Sequence, residues 1–258
     1  MVAALMISGT ISAQKLNEKD VPKPGTDAFA KKYPLRVIED AAHAFGCRYH
    51  GRKIGSFGDV VWFSFDGIKN ITSGEGGAVV SSDLDVLEKV KDARLLGVEK
   101  DTEKRFAGQR SWDFNVTTQG WRYHMSEVMA AIGRVQLCRL DSEFAPRRIE
   151  IARYYRNELT GIEKIKLFDT AGEDIIPHIF PIRVLQRRDA LREFLMDAGI
   201  EAGIHYKPSH LLTRFQRQGI HLPVVEKLYP ELLTLPLHPS LTNTELEKIV
   251  SQIKTFFG

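Results

Sequence analysis

The chain has 258 residues, of which 43% are hydrophobic and 27% charged, a composition typical of a globular protein with one large domain or two smaller ones. The net charge of +3 comes from basic residues mixed with acidic ones throughout, which argues against a nucleic-acid partner. No apolar run is long enough to span a membrane, and the two cysteines, Cys47 and Cys138, do not form a disulfide framework. Reduced thiols favour a cytoplasmic location.

The first 27 residues have no clear pattern of secondary structure, and we expect an irregular segment there. Residues 1–14 have an apolar middle like that of a signal peptide, but they lack its basic start. Residues 15–27 are polar, with two prolines and a glycine, and are typical of a loop. A short helix is expected over Thr26 to Tyr33, with Thr26 or Asp27 as its N-cap.

An apolar strand from Leu35 to Glu39 leads into Asp40, two small residues and His43. Further strands are predicted over Val60 to Phe65 and Gly77 to Ser81, as in a mostly parallel α/β sheet. Open α/β sheets bind ligands at the carboxyl ends of their strands. Asp40 and His43 are therefore expected at the binding edge.

Lys69 lies in a loop between the second and third of these strands. Three glycines around Glu75 follow it and predict positive φ angles or a close approach of the backbone. A solvent-facing loop lysine is one interpretation. The other is a lysine made nucleophilic by partial desolvation, which forms an imine with a carbonyl compound. An aspartate for the pyridine nitrogen and an imine-forming lysine are the two groups that pyridoxal phosphate (PLP) requires, and Asp40 and Lys69 supply both types.

Two helices are predicted in the middle of the chain. The first runs from about Leu84 to Leu96, is capped by residues 81–83 and stops at Gly97. A long surface loop over residues 98–119 follows. Ser126 caps the second helix, whose apolar residues repeat at helical spacing and are predicted to be core: Met125, Val128, Met129, Ile132 and Val135.

The C-terminal third predicts a small α+β domain with antiparallel strands. A long helix follows Pro146 and ends at Thr160-Gly161. Strands are expected over His178 to Val184 and Glu201 to Tyr206. Helices are expected over three stretches: Arg188 to Ala198, Pro223 to Leu233 and Thr242 to Phe256. No histidine or carboxylate grouping has zinc-ligand spacing, so no metal site is predicted.

Five motifs in order resemble the DegT/DnrJ/EryC1/StrS aminotransferases, which are fold-type-I PLP enzymes that aminate keto groups on nucleotide-linked sugars. The resemblance covers roughly residues 33–258 and is carried by VIEDAAHAFG (37–46), GRKIGSFGD (51–59), FSFDGIKNITSGEGGAVVSSD (63–83), GWRYHMSEVMAAIGRVQL (120–137) and LPLHPSLTNTELEKIV (235–250). It implies an α/β, aspartate-aminotransferase-like large domain over residues 28–145 and a small α+β domain over residues 146–258.

The resemblance assigns roles to individual residues. Lys69 holds PLP, Asp40 faces the ring nitrogen, Ser64 binds the phosphate and His43 packs on the ring. A strand serine bonded to the backbone and a structural histidine are the alternatives for Ser64 and His43. Arg122 stands where the family commonly has asparagine in GYNYR; it could contact a phosphate in a neighbouring subunit, or be an ordinary surface arginine.

Two further residues, His205 and Tyr206 in GIEAGIHYKP (199–208), resemble the segment that lines the family's substrate cleft. Packing at a strand end is the alternative for both. The family's lysine at position 69 argues against its sugar-dehydratase branch, where a histidine stands there.

The resemblance implies a cytoplasmic, homodimeric transaminase that moves an amino group, with glutamate as expected donor, to a nucleotide-linked keto-sugar in cell-surface polysaccharide or secondary-metabolite biosynthesis. The family's early strand, its phosphate-binding loop and its following helix are not found in the sequence, so a chain lacking the N-terminal part is expected. Two alternatives follow: a catalytically silent member of the family, or a ligand-binding protein built on the PLP fold.

Overall fold

The structure is a computed structural model, and it describes residues 3–4, 30, 35–99, 107–108, 114–169, 174–216 and 219–258. The chain divides into two compact units, one formed by Met1–Ser142 with Asp174–Ile176 and the other by Glu143–Glu173 with Pro177–Gly258. The helix predicted over Thr26 to Tyr33 lies outside the described residues except for Ala30, as does most of the segment predicted to be irregular.

The first unit contains a four-stranded sheet and a separate two-stranded hairpin. The sheet has the order β1-β2-β5-β6, and the hairpin joins β3 and β4. The strands are β1 (Ala3–Ala4), β2 (Ile38–Asp40), β3 (Arg48–Tyr49), β4 (Arg52–Lys53), β5 (Val60–Ser64) and β6 (Gly77–Ser81). The three predicted strands of this half are therefore present, although the first begins at Ile38 instead of Leu35 and includes Asp40. The hairpin was not predicted.

Strand directions in this sheet are mixed. β2 and β5 are parallel, with Asp40 opposite Trp62, but β5 and β6 are antiparallel. The sequence predicted a mostly parallel sheet, and β6 differs from that prediction. The physical reason is the connection: residues 65–76 turn back beside β5 instead of forming the helical crossover that parallel neighbours need.

Burial alternates along β5. Val61 and Phe63 are buried, whereas Trp62 between them is 37% exposed. The Phe45 ring packs edge-on against Phe63 and Phe65, with centroids 5.0 and 5.2 Å apart. One face of the sheet is thus covered by aromatic packing, and the face that carries Trp62 is partly open.

Two helices follow the sheet in the first unit. α1 (Leu84–Ala93) begins at Asp83, whose side chain accepts hydrogen bonds from the next turn, and α2 (Glu127–Arg139) begins at Ser126, which does the same for Met129. Both predicted caps are confirmed. α1 ends three residues before the predicted Leu96, because Leu96 adopts a positive φ of 63° that breaks the helical pattern.

The predicted core stripe of α2 is wrong in this structure. Val128, Ile132 and Val135 are 72%, 44% and 58% exposed, and α2 contains no buried residue. The helical spacing is as predicted, but within the described residues nothing covers this side of α2. An amphipathic pattern shows which residues share a face and does not specify what packs on that face.

The second unit is a small α+β domain, as predicted. Its sheet has the order β7-β8-β9 with antiparallel neighbours, and its strands are β7 (Ile165–Leu167), β8 (Phe180–Val184) and β9 (Leu232–Leu235). Its helices are α3 (Ala145–Leu159), α4 (Arg188–Asp197), α5 (Pro223–Leu228) and α6 (Asn243–Phe257). A π-helical stretch, Leu140–Phe144, precedes α3.

One hydrophobic core fills the second unit. Its fully buried members come from the sheet and from three helices, and they include Ile151, Ile182, Leu191, Leu195, Leu233 and Ile253. Thr242 and Glu245 form a reciprocal capping box at the start of α6. These contacts place the α3, α4 and α6 helices on the sheet.

Three details of the second unit differ from the sequence predictions. The stretch from Glu201 to Tyr206 is not a strand, since only Gly203 bridges Thr234 of β9. The helix predicted from Pro223 to Leu233 stops at Leu228, and its last apolar residues join β9 instead. The short strand β7 was not predicted. In each case strand pairing in the sheet decides the backbone conformation. Sequence periodicity does not predict which segments will pair.

Within the described residues, no helix has the length and apolar character needed to cross a membrane.

Replacing Leu195 of α4 with alanine should destabilise the protein by about 2–5 kcal/mol, because it leaves a cavity in the core of the second unit. The neighbouring change Met196→Ala is the matched control: Met196 is 49% exposed on the same helix, and its replacement should alter stability by less than about 0.5 kcal/mol. Urea unfolding followed by circular dichroism measures both. Equal losses for the two variants would contradict this core assignment.

Candidate active site

The candidate site begins at the carboxyl ends of β2 and β5, where Asp40 and Ser64 stand on neighbouring parallel strands. The strands stay paired beyond Asp40, since the Ala41 N–H donates to the Trp62 carbonyl over 3.0 Å. The half-buried Asp40 carboxylate accepts a hydrogen bond from the Ala42 N–H (3.1 Å) through Oδ1. Its other oxygen makes no hydrogen bond to the described residues.

Lys69 lies in residues 65–76, the loop that leaves β5. The loop is closed by backbone bonds: Ser73 N–H donates to the Phe65 carbonyl (2.9 Å), and Phe65 N–H donates to the Gly76 carbonyl (2.8 Å). The Lys69 N–H itself donates to the Asp66 carbonyl (3.0 Å). These bonds hold the lysine in a defined, half-buried position instead of on a free surface loop.

The glycines after Lys69 have the geometry that the sequence predicted. Gly74 and Gly76 have φ angles of 86° and 133°. A Cβ on Gly77 would collide with the Phe63 carbonyl oxygen, and one on Gly76 would lie 2.5 Å from the Met125 methyl carbon. The glycines therefore permit both the left-handed turn and the close return of β6 to β5.

Asn70 is a site residue that the sequence analysis missed. It is 3% exposed, and its Nδ2 donates to the carbonyls of Phe45 (3.0 Å) and Ile176 (3.2 Å). The first of these bonds ties the Lys69 loop to the segment that follows Asp40. The position beside Lys69 was the only available signal, because a polar residue in a loop gives no sequence indication that it is buried.

His43 and Ser64 complete this corner of the first unit. His43 is exposed on the segment between Asp40 and Phe45, and Ser64 Oγ accepts a weak hydrogen bond from the Asp66 N–H (3.4 Å). Asp40 and Ser64 end adjacent strands, and the Asn70–Phe45 bond joins the segments of His43 and Lys69. These contacts join the segments that carry the four residues predicted for this edge, and the pairing of β2 with β5 puts Asp40 and Ser64 on neighbouring strands.

Arg122 lies elsewhere in the first unit. Its segment runs beside the end of α1, where the Tyr123 N–H donates to the Arg94 carbonyl (2.8 Å) and Arg122 itself bridges Leu95. Its side chain is exposed. Among the described residues, no hydrogen bond or ion pair joins Arg122 to the four residues of the strand edge.

His205 and Tyr206 belong to the second unit. The His205 ring packs on Gly203, where a Cβ would lie 2.8 Å from the ring carbon Cε1, and burial lowers the pKa of His205. Tyr206 is 56% exposed and meets the His205 ring edge-on. The two residues form an aromatic pair in irregular backbone, not at the predicted strand end.

The donor set at the strand edge is one amine, one carboxylate, one hydroxyl and one imidazole. An amine can attack a carbonyl carbon, a carboxylate can hold a proton on a ring nitrogen, and a hydroxyl can donate to a phosphate. Across the described part of the chain, no three histidine, cysteine or acidic side chains are grouped as metal ligands would be.

Comparison with known proteins identifies the family. The profile of the DegT/DnrJ/EryC1/StrS aminotransferase family matches residues 24–254, and the chain belongs to this family. Its fold is the α/β fold of the fold-type-I PLP aminotransferases, with a small α+β domain.

Three similar proteins illustrate the match. An uncharacterised protein of Methanocaldococcus jannaschii is 34% identical over 236 residues, which are 87% of this chain and 61% of the relative. PseC of Helicobacter pylori, an aminotransferase of pseudoaminic acid biosynthesis, is 28% identical with a TM-score of 0.79 over 88% of this chain and 61% of PseC. Spr1654 of Streptococcus pneumoniae, solved in a PLP form, is 28% identical, with a TM-score of 0.75 over 89% of this chain and 60% of Spr1654. The chain thus spans about three fifths of their length.

Replacing Asn70 with alanine should cost about 1–3 kcal/mol, since it removes the amide donor to the Phe45 and Ile176 carbonyls and leaves the Ile176 carbonyl with only the weak bond from the Cys47 thiol. Asn115→Ala is the control: its side chain is exposed, and its loss should change stability by less than about 0.5 kcal/mol. Urea unfolding gives both values, and limited proteolysis should show faster cleavage within residues 65–76 only in the Asn70 variant. An unchanged loop in that variant would show that Asn70 does not hold it.

The lowered pKa of His205 predicts a stability loss in acid. Because the unfolded histidine has the ordinary pKa of about 6.5 and the folded one a lower pKa, the unfolded state takes up its proton first as pH falls. Stability from this residue is therefore complete above pH of about 6.5 and decreases below it. His205→Asn should flatten the difference in unfolding free energy between pH 7.5 and 5.5, whereas His50→Asn, at an exposed position of the first unit, should leave that difference unchanged. An unchanged pH dependence in the His205 variant would contradict the assignment.

Proposed function

We propose that this protein is a PLP-dependent transaminase that transfers an amino group, from glutamate as donor, to a keto group of a nucleotide-linked sugar. The observation that carries the proposal is the half-buried Lys69 loop at the strand edge where Asp40 ends β2. Membership in the aminotransferase family supports the reaction class. The relatives are longer than the part matched here, so the substrates are inferred from the family resemblance.

The residues at the strand edge fit PLP. Lys69 offers the amine for its aldehyde, and the Asp40 oxygen that does not bond Ala42 suits the ring nitrogen. Among the described residues, the Ser64 hydroxyl accepts one long bond from the Asp66 N–H, and its proton would be donated to the phosphate. His43 is exposed on the same corner and would pack on the ring. PLP supplies, when bound, an electrophilic aldehyde and a ring that withdraws electrons from the amino donor.

The roles of the chain's own residues follow from their chemistry. Asp40 keeps a proton on the ring nitrogen, because a carboxylate favours a neighbouring positive charge. Lys69 Nζ would take a proton from the α-carbon of the amino donor and deliver it to the cofactor carbon, as a general base and then a general acid. The backbone bonds that close residues 65–76 would hold the Lys69 backbone in one position during these steps.

We infer that the sugar nucleotide contacts residues outside this edge. The planar donor fork of Arg122 suits a phosphate, and its exposure permits a contact in a neighbouring subunit. The aromatic pair His205 and Tyr206 is proposed to contact the substrate. PseC acts in the biosynthesis of pseudoaminic acid, and a role in cell-surface polysaccharide or secondary-metabolite biosynthesis is proposed by analogy.

A homodimer in the cytoplasm completes the proposal. The exposed apolar side of α2, with Val128, Ile132 and Val135, gives a second copy a surface to cover. Covering it would also bury the stripe that the sequence predicted to be core. The family resemblance implies the same association.

The second candidate function is a family member that binds PLP or another ligand without transamination. It is kept because the chain spans about three fifths of its relatives, and residues outside that match could contribute to turnover. PLP attachment at Lys69 without amino transfer would favour it.

The test starts with the purified chain and added PLP, reduced with borohydride and mapped by peptide mass spectrometry. A phosphopyridoxyl group is expected on Lys69, and Lys69→Ala should lose it together with at least a factor of about 10²–10⁴ in turnover of glutamate and keto-sugar nucleotides. Lys89→Ala, at an exposed position of α1, is the matched control and should change neither.

Asp40→Asn separates cofactor attachment from ring activation. It should keep the label on Lys69 but lower turnover by about 10- to 100-fold, the size expected for a lost charge-assisted bond. Full turnover in Lys69→Ala, or label spread evenly over surface lysines, would refute the proposed site.

A further inference from the structure

The aromatic pair of the second unit, His205 and Tyr206, is anchored on its N-terminal side by strand β9. The Gly203 N–H donates to the Thr234 carbonyl (2.9 Å), and the Thr234 N–H donates to the Gly203 carbonyl (2.8 Å). Thr234 also lies opposite a residue of β8 in the sheet. The chain therefore enters the pair from a fixed position.

On its C-terminal side, the pair is followed by one turn of 3₁₀ helix over Ser209–Leu211. The Leu211 N–H closes this turn by donating to the Pro208 carbonyl (2.9 Å). A single helical turn is weakly stable by itself, because few hydrogen bonds compensate for the backbone freedom that is lost. The position of this turn therefore depends on a contact from outside it, and His210 makes such a contact.

Glu226 of α5 is the partner of His210. The His210 side chain is 8% exposed, and its Nε2 lies 3.1 Å from Glu226 Oε1. The same oxygen accepts a hydrogen bond from the Leu222 N–H (2.9 Å), which precedes α5. The Leu222 N–H, and then His210, lower the pKa of Glu226. The carboxylate is therefore ionised at neutral pH and can accept both bonds.

His221 is the other titratable residue within 4 Å of this carboxylate in the part of the chain that the structure describes. Its Nδ1 lies 3.6 Å from Glu226 Oε2, and its side chain is 84% exposed. An exposed contact of this length contributes little, because water screens it. The shielded bond between His210 and Glu226 is therefore the one that holds the 3₁₀ turn.

We propose that Glu226 is a positioning residue for the acceptor substrate: by holding His210, it fixes the turn after the aromatic pair and keeps the exposed Tyr206 ring in place for the keto-sugar nucleotide. The inference rests on the proposed function, in which His205 and Tyr206 contact that substrate. Glu226 acts through His210 and the backbone of residues 206–211, not by touching the substrate itself.

The first test is NMR of the folded chain. Tyr206 meets the His205 ring edge-on, with centroids 4.7 Å apart, so a displaced Tyr206 should shift the resonance of the His205 Cε1 proton. Glu226→Ala should cause this shift and speed amide hydrogen exchange at Leu211 and Leu222 by at least about tenfold. Glu226→Gln keeps the oxygen that accepts both bonds and should retain the original resonance and exchange rates.

Glu163→Ala is the matched control, because the Glu163 side chain is 89% exposed; it should change neither readout. If Glu226→Ala fails to fold, His210→Ala removes the same bond from the other side and should shift the His205 resonance equally. A purely stabilising bond would lower the free energy of unfolding but leave that resonance in place in the folded variant. This result would overturn the proposal.

The second test separates the two substrates in the holoenzyme. Glu226→Ala should raise the KM for the keto-sugar nucleotide about tenfold, with kcat within about threefold and the KM for glutamate unchanged. An unchanged KM for the keto-sugar nucleotide would overturn the substrate role of the positioned pair. A chain that takes no PLP label at Lys69 would refute the proposed function instead, and the NMR comparison would still decide whether Glu226 positions the pair.

Discussion

The parallel pairing of β2 with β5 is the constraint on which the candidate site depends. It brings the ends of two strands that are distant in sequence to one edge, so that Asp40 and Ser64 become neighbours. The loop that leaves β5 then needs only local turns to place Lys69 at the same edge. Without this register, Asp40 and Ser64 would not lie at the ends of neighbouring strands.

The loop itself is held by tertiary contacts more than by its glycines. Gly74 and Gly76 allow its backbone angles, but Asn70 fixes its position by bonding the Phe45 carbonyl. The edge-on packing of Phe45 against Phe63 and Phe65 provides the apolar support beneath it. A reactive lysine needs such a rigid setting, because proton transfer depends on where its amine stands.

The first unit also exposes surfaces that are rarely open in an α/β domain. Trp62 on the sheet, the outer edge of β6 and the apolar side of α2 all face outward in the described chain. Large exposed apolar areas usually mark interaction sites. The candidate site and the open surfaces therefore share one sheet: its strand ends carry the proposed site, and one face and the outer edge are exposed in the described part of the chain.

The sequence by itself determined the local features: the three strands of the first sheet, the caps at Asp83 and Ser126, the positive φ angles after Lys69, and the family. These follow from alternation, capping chemistry and glycine geometry, which act within a few residues. Tertiary structure decided the rest. The antiparallel return of β6, the burial of Asn70, the exposure of Val128 and the loss of the strand at Glu201 to Tyr206 each depend on distant segments. A periodic pattern predicts which residues share one face of a helix or strand, but only the tertiary structure decides whether another segment packs on that face.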